Sequence, residues 1–525
     1  MTNQTSLISS VPRPGNAVIA PLFARHSKPA QLATNQQQRS RPQSPASRAL
    51  AAAFFLVMTQ GLLPAQSVEK VADLSFVSVD GVGVGGYAPL ARLTQAGTNL
   101  WFTTKSGGTF DAGTISRYDL VTREVVQVAS LDNTTGKAPE SSLLVIDDYA
   151  YFTTVNGGEG NKGTIAKINL GSGAITVLHN FATNGIPTGA TPRAGLTRIG
   201  DELWATTSSG GISNRGVIVK YRLNDGVTSL VADFDGPALG GQPFGGLTAV
   251  GANALFFTTF SGGSTFGATG LPLGAGTLGK VTIDALGNAT VGKLADLPAG
   301  YTQFPGVEPT LVGTNSLYFG TTGPNSAPGA IVRYDLDTAA LTNLFSFRTN
   351  AVDALAYGTR PGYSGLVEWL GELYFLGRQG GVSNYGVVAK FNLASNTVTK
   401  LADLEGTGGL ALGSATGIFD NTGVIVEETN RFFLYYAVTG GGVNNKGTIL
   451  RVALPPPPIA ALLAAGTAPE TLTLSWTGGY LPFTVQGRGD FTGGIWTNVL
   501  EGVTTRAVSL PVSGPQAVFR VQGSN

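Results

Sequence analysis

The chain has 525 residues, 74 of them glycine, with 42% hydrophobic and 12% charged residues, no cysteine and two histidines. Without cysteine there is no disulfide scaffold, thiol nucleophile, iron–sulfur cluster or zinc ribbon, and two histidines exclude a histidine-rich metal centre. Its 33 basic and 32 acidic residues nearly balance, but six of the basic ones (Arg13, Arg25, Lys28, Arg39, Arg41, Arg48) and none of the acids precede residue 68. The remainder is net acidic, against the basic face expected of a nucleic-acid binder. Glycine at about twice its usual ~7%, with no three-residue period, points away from collagen and towards short strands and tight turns.

Residues 1–67 read as a leader. A basic flank, an apolar run at 49–58, Leu62-Leu63 and the small-residue stretch Pro64-Ala65-Gln66-Ser67 form a secretory signal, cut after Ala65 or Ser67. The run is well short of the roughly 20 residues that a membrane-spanning helix needs. A transit peptide is also basic and acid-poor, but lacks a compact apolar run. The expected location is outside the cell or at its surface, with no transmembrane span in the mature chain.

From there a unit repeats seven times. One segment reads Gly113-Thr-Ile-Ser-Arg-Tyr-Asp-Leu120, then Gly163-Thr-Ile-Ala-Lys-Ile-Asn-Leu170, and again from Gly216, Gly276, Gly329, Gly386 and Gly447, at spacings of 50 to 61 residues. Before it stands an aromatic strand entering a glycine turn, as in Leu100-Trp-Phe-Thr-Thr-Lys-Ser-Gly-Gly108. After it comes a strand ending in motifs such as Ala232-Asp-Phe234 or Ala402-Asp-Leu404, and a short apolar segment leads into the next aromatic strand. Four alternating strands per ~55 residues, named A to D in chain order, are the blades of a β-propeller. Seven A–B–C sets have only six D strands after them. Val68-Glu-Lys-Val-Ala-Asp-Leu74 matches Val398-Thr-Lys-Leu-Ala-Asp-Leu404, so the first mature strand is expected to complete the last blade. The predicted fold is all-β: a seven-bladed propeller over 68–454, closed by an N-terminal strand.

The pattern, a "YGTT…GG…GT-apolar-basic" core followed by a strand ending in Phe or Leu, resembles the GloVer (Gloeobacter–Verrucomicrobia) tandem repeat over about residues 68–454. That resemblance implies an exported or surface-held protein and no particular activity. Two copies depart from it. The fifth, Tyr318-Phe-Gly-Thr-Thr-Gly-Pro324, loses the paired glycine, and the sixth replaces the threonines with Leu376-Gly-Arg378.

Four prolines at 455–458 read as a stiff spacer within a Pro/Ala-rich linker, 455–469. Alternating segments in 470–525 then predict a small immunoglobulin- or fibronectin-like β-sandwich. Arg488-Gly489-Asp490 sits in one of its turns; in a glycine-rich chain such a tripeptide arises readily by chance. No anchor is visible in the sequence.

Candidate binding residues gather where propellers commonly take ligands, on the face carrying the B–C and D–A loops: Lys105, Asp111, Asn161, Lys162, Asn214, Arg215, Arg378, Asn384, Tyr385, Asn445 and Lys446. Asn also suits left-handed turn geometry, the structural alternative. Each C strand carries a cation (Arg117, Lys167, Lys220, Lys280, Arg333, Lys390, Arg451), which the polar column closing the D strands (Asp73, Ser130, Asn180, Asp233, Asp296, Ser346, Asp403) is expected to pair. No catalytic residue, metal or cofactor is assigned: His179 falls on an outer strand, and the acids are scattered. The expected protein is a monomeric, non-catalytic binder of an extracellular saccharide, polymer or protein. An extracellular polysaccharide lyase or hydrolase is the alternative, favoured if two carboxylates and a basic group converge at the channel mouth.

Overall fold

The computed structural model describes residues 66–79, 82–182, 189–268, 273–298, 300, 303–323, 328–348, 351–406, 422–465, 471–488, 495–511 and 518–523. The leader up to Ala65, and Gly489 and Asp490 of the tripeptide, lie outside them. The described residues are all-β apart from a short helix, Ala351–Tyr357, and a single 3-10 turn, Pro361–Tyr363.

Seven four-stranded antiparallel sheets follow one another in the chain. The first comprises strands A to D at Thr94–Ala96, Asn99–Thr104, Thr114–Asp119 and Val125–Ser130. The A strands of the next five are Leu144–Ile146, Thr197–Ile199, Thr248–Val250, Thr310–Val312 and Val367–Trp369. The seventh has Val424–Glu428, Arg431–Val438 and Thr448–Ala453, and takes its fourth strand from the far end of the chain, Val68–Asp73. Val68 pairs with Val452 and Asp73 with Thr448, as the sequence match required.

The B strands are buried on both faces because each sheet lies between two others. Side chains alternate along a strand. In the first sheet Leu100 and Phe102 therefore pack with Val426, Tyr435 and Ala437 of the seventh, while Trp101 packs with Leu143 and Phe152 of the second. The same clusters join second to third, third to fourth, and onward to seventh. Each fully buried Leu or Phe contributes roughly 1.5–3 kcal/mol. In every D strand one residue slips out of register (Val128 in the first sheet) and adds its side chain to an inter-sheet cluster.

The threonines of the repeat tie sheet to sheet. Thr103, Thr153, Thr206 and Thr258 donate their hydroxyls to backbone carbonyls of the next sheet, at Ser141, Ala194, Gly245 and Val307, over 2.7–3.0 Å. The glycine opening each C strand also serves the contact between sheets. Gly163 has φ +102°, and a Cβ there would stand 2.1 Å from Thr154 O and 2.8 Å from Pro192 Cδ in the following loop.

Two features were absent from the sequence reading. Phe76–Val79 and Val82–Tyr87 form a hairpin that extends onto Ser106–Gly107. Ala460–Ala465, assigned to the linker, is a strand paired with Thr471–Thr477 in the register Ala460 to Thr477 through Ala465 to Leu472. The C-terminal module consists of two three-stranded sheets over Leu474, Trp476, Phe483, Val485 and Leu510. The prolines do not hold it away from the seven sheets. The Tyr480 hydroxyl donates to Leu454 O (2.9 Å) and accepts Phe432 N–H (3.1 Å), and Trp369 Nε1 donates to Pro455 O (3.0 Å).

Candidate functional site

The candidate residues divide by what their side chains do. Asp111, Asn161, Asn214, Asn384 and Asn445 all sit in the left-handed region, φ 47° to 56°. Each accepts, through its side-chain oxygen, the backbone N–H four residues back, at Gly107, Gly157, Gly210, Gly380 and Gly441 (2.8–2.9 Å). Asn and Asp suit this place because a short polar side chain can close the turn on itself. Lys162, Arg215 and Lys446 follow in three of these turns, and their carbonyls accept the N–H of Thr191, Gln242 and Ala88 in the next sheet's loop. The Arg215 guanidinium lies 4.3 Å over Phe266, and the Lys446 ammonium 4.1 Å over Tyr87. Tyr385 packs its ring on Gly406.

Lys105 and Arg378 are placed differently, at the ends of B strands beside the D–A loops. Lys105 pairs with Glu140 (2.9 Å), a carboxylate whose side chain is only 2% exposed and which also pairs with Arg193. Arg378 lies 4.5 Å over Tyr363. Between them runs an aromatic arc: Arg193 over Phe244 (5.8 Å), Phe244 against Phe260 (5.0 Å), and Phe260 stacked on Phe304 (4.9 Å). All these rings are half-buried. The sequence reading missed the aromatics. A signal was present, since Phe244 and Tyr363 break a loop column that Leu90, Glu140 and Arg193 occupy in other copies.

The A strands and their lead-ins from all seven sheets line an open cavity of about 490 Å³. Its lining is mostly threonine, glycine and leucine, with three charged residues, Arg92, Glu308 and Glu368. Glu308 accepts Gly246 N–H (3.2 Å) and Glu368 accepts Gly371 N–H (2.8 Å).

The C-strand cations do not meet the D-strand column. Lys220, Lys390 and Lys167 reach across to the B strand instead: Lys220 to Glu202 (2.8 Å), Lys390 to Glu372 (2.7 Å), Lys167 over Tyr149 (4.4 Å). Arg333 pairs with Asp335 on its own strand (3.7 Å), and Arg451 with Glu428 (3.3 Å) and Glu69. The D-strand ends bind the glycine turns, with Asp233 accepting Ile212 N–H (2.7 Å) and Asp403 accepting Val382 N–H (3.1 Å). Where a lysine stands three residues earlier on the same strand it takes the cation's place, as Lys70 does for Asp73, Lys293 for Asp296 and Lys400 for Asp403 (2.7–2.9 Å). Burial holds the His179 imidazole below its usual pKa, and its ring stands edge-on to Phe181 at 4.9 Å. Among the described residues no three His, Asp or Glu side chains gather as a metal site would need, and no helix is long and apolar enough to cross a membrane.

Residues 74–271 match the family model described as the Gloeobacter/Verrucomicrobia repeat. No curated protein sequence matches the chain. Among solved structures it is similar to an oligogalacturonate lyase in complex with manganese (12% identity, 74% of this chain and 98% of that one, TM-score 0.42). It is also similar to a puromycin hydrolase (13%, 82% and 66%, 0.44) and to TolB from Acinetobacter baumannii (11%, 69% and 78%, 0.32). At these scores none of the three bears on what this chain does.

Proposed function

We propose, for a chain that carries the Gloeobacter/Verrucomicrobia repeat over residues 74–271, a secreted or surface-exposed seven-bladed propeller that binds an extracellular saccharide polymer without transforming it. The observation that carries this reading is the arc from Arg193 through Phe244, Phe260 and Phe304, with Tyr363 and Arg378 beyond it. Half-buried aromatic faces beside guanidinium groups suit sugar rings and their hydroxyls. The C-terminal sandwich, immunoglobulin- or fibronectin-like, serves as an attachment module, and the protein acts as a monomer.

A glycan and polymer binding array with the purified chain tests this. Retention of a polymer, weakened about tenfold or more by Phe260→Ala, is expected. Retention of nothing in the array overturns the reading in favour of a purely structural surface protein. The second reading, a lyase or hydrolase, is favoured by the convergence of Glu308, Glu368 and Arg92 on one cavity. New reducing or unsaturated ends in the retained polymer would establish it.

A further inference from the structure

The geometry points to a second, separate binding site in the central cavity, for a small zwitterion: a free α-amino acid or short peptide. Among the described residues Arg92, which lines the cavity, makes no ion pair or hydrogen bond. Glu308 and Glu368 each have one oxygen on a backbone N–H, and the other has no partner among the described residues. Thr422, which also lines it, is 9% exposed, and its Oγ1 has no partner. Arg92, Glu308 and Glu368 are half-buried and keep charged atoms at the cavity surface, while Thr422 Oγ1 is withdrawn from water without a partner. A ligand that pairs all of them gains charge-assisted bonds and recovers the cost at Thr422.

The charge pattern selects the ligand. A simple anion would answer Arg92 but face two carboxylates; a simple cation would leave the guanidinium alone. An ammonium and a carboxylate on one molecule answer both, through charge-assisted hydrogen bonds. Among the described residues no aromatic side chain lines the cavity, so it offers no platform for a sugar ring. Leu196, Leu247 and Leu366 border it but turn their side chains into the clusters between sheets, which leaves threonine hydroxyls and backbone to face the ligand. A volume of about 490 Å³ falls within the range of small-molecule pockets.

The test is calorimetry and thermal shift on the full chain with leucine, dileucine, dileucine methyl ester and N-acetyl-dileucine. The free dipeptide is expected to bind, and blocking either end to weaken it about tenfold or more. In Arg92→Gln the ester should bind no worse than the free dipeptide. In the Glu308→Gln/Glu368→Gln double variant N-acetylation should no longer matter. The proposal is overturned by no heat and no thermal shift at millimolar ligand, by equal affinity of blocked and free forms, or by variants that bind like the wild type. Should a variant not fold, the blocked ligands on the wild-type chain decide the matter alone.

Discussion

At the scale of single residues, one residue type has two readings that only its surroundings separate. Asn161 stands in a turn, on the face where ligands are expected, yet its side-chain oxygen holds Gly157 N–H at 2.9 Å. Asn161→Ala would lose that bond and place a Cβ-bearing residue without a side-chain partner at φ 50°, so a loss of about 1–2 kcal/mol is expected. Asn161→Gly, free of the steric cost, should lose less. Urea midpoints of the two variants check the order, and an Asn161→Ala chain as stable as the wild type would remove the structural role. Lys105 and Arg378, chosen from the sequence on the same grounds, differ because their ends reach past the turn to Glu140 and Tyr363. Spacing alone does not report where a long side chain finishes.

At the scale of elements, the repeat's paired threonines carry information beyond strand propensity. Thr153 Oγ1 donates to Ala194 O in the next sheet (3.0 Å), and both groups are buried. Thr153→Val keeps the shape but leaves that carbonyl without its donor, and a loss of about 1–3 kcal/mol is expected. Thr153→Ser, which retains the hydroxyl, should recover part of it. Equal melting temperatures for Val and Ser variants would show that the bond is immaterial. The sixth copy, with Leu376 and Gly377 in these places, instead joins the seventh sheet through Tyr374, Leu376 and Leu434 in one apolar cluster. The strand order within each sheet was legible from the repeat because hairpin neighbours in sequence pair in space. The D-strand bulge was not. It depends on how a side chain fits the next sheet, and no local pattern marks it.

At the scale of the whole molecule, the join between the two ends of the repeat array has its own chemistry. Glu428 pairs with Arg123 of the first sheet (2.7 Å) and with Arg451 (3.3 Å), and Arg451 also pairs with Glu69 on the closing strand. Burial, with Glu428 beside it, pushes the Tyr435 hydroxyl well above its usual pKa, so it stays protonated and donates to Glu428. Deleting residues 68–75 would remove that strand, expose the edge of Thr448–Ala453 and leave Arg451 without Glu69. The expected result is loss of a single cooperative unfolding transition in calorimetry; an unchanged melting curve would refute the closing role.

The sequence by itself determined the repeat, its seven copies, the four strands in each and the partner of Val68–Asp73, because strand pairing follows local alternation and turn chemistry. It also located the glycine surplus, much of which stands where a Cβ would collide with backbone. Tertiary structure alone decided which polar groups were already satisfied. The turn asparagines and the C-strand cations find partners within their own sheets, whereas among the described residues Arg92 and the second oxygens of Glu308 and Glu368 find none. Those three residues lie far apart in the chain and at no shared motif. They become neighbours of one cavity only because seven inner strands converge there, a geometry set by packing between sheets and written in no single copy of the repeat.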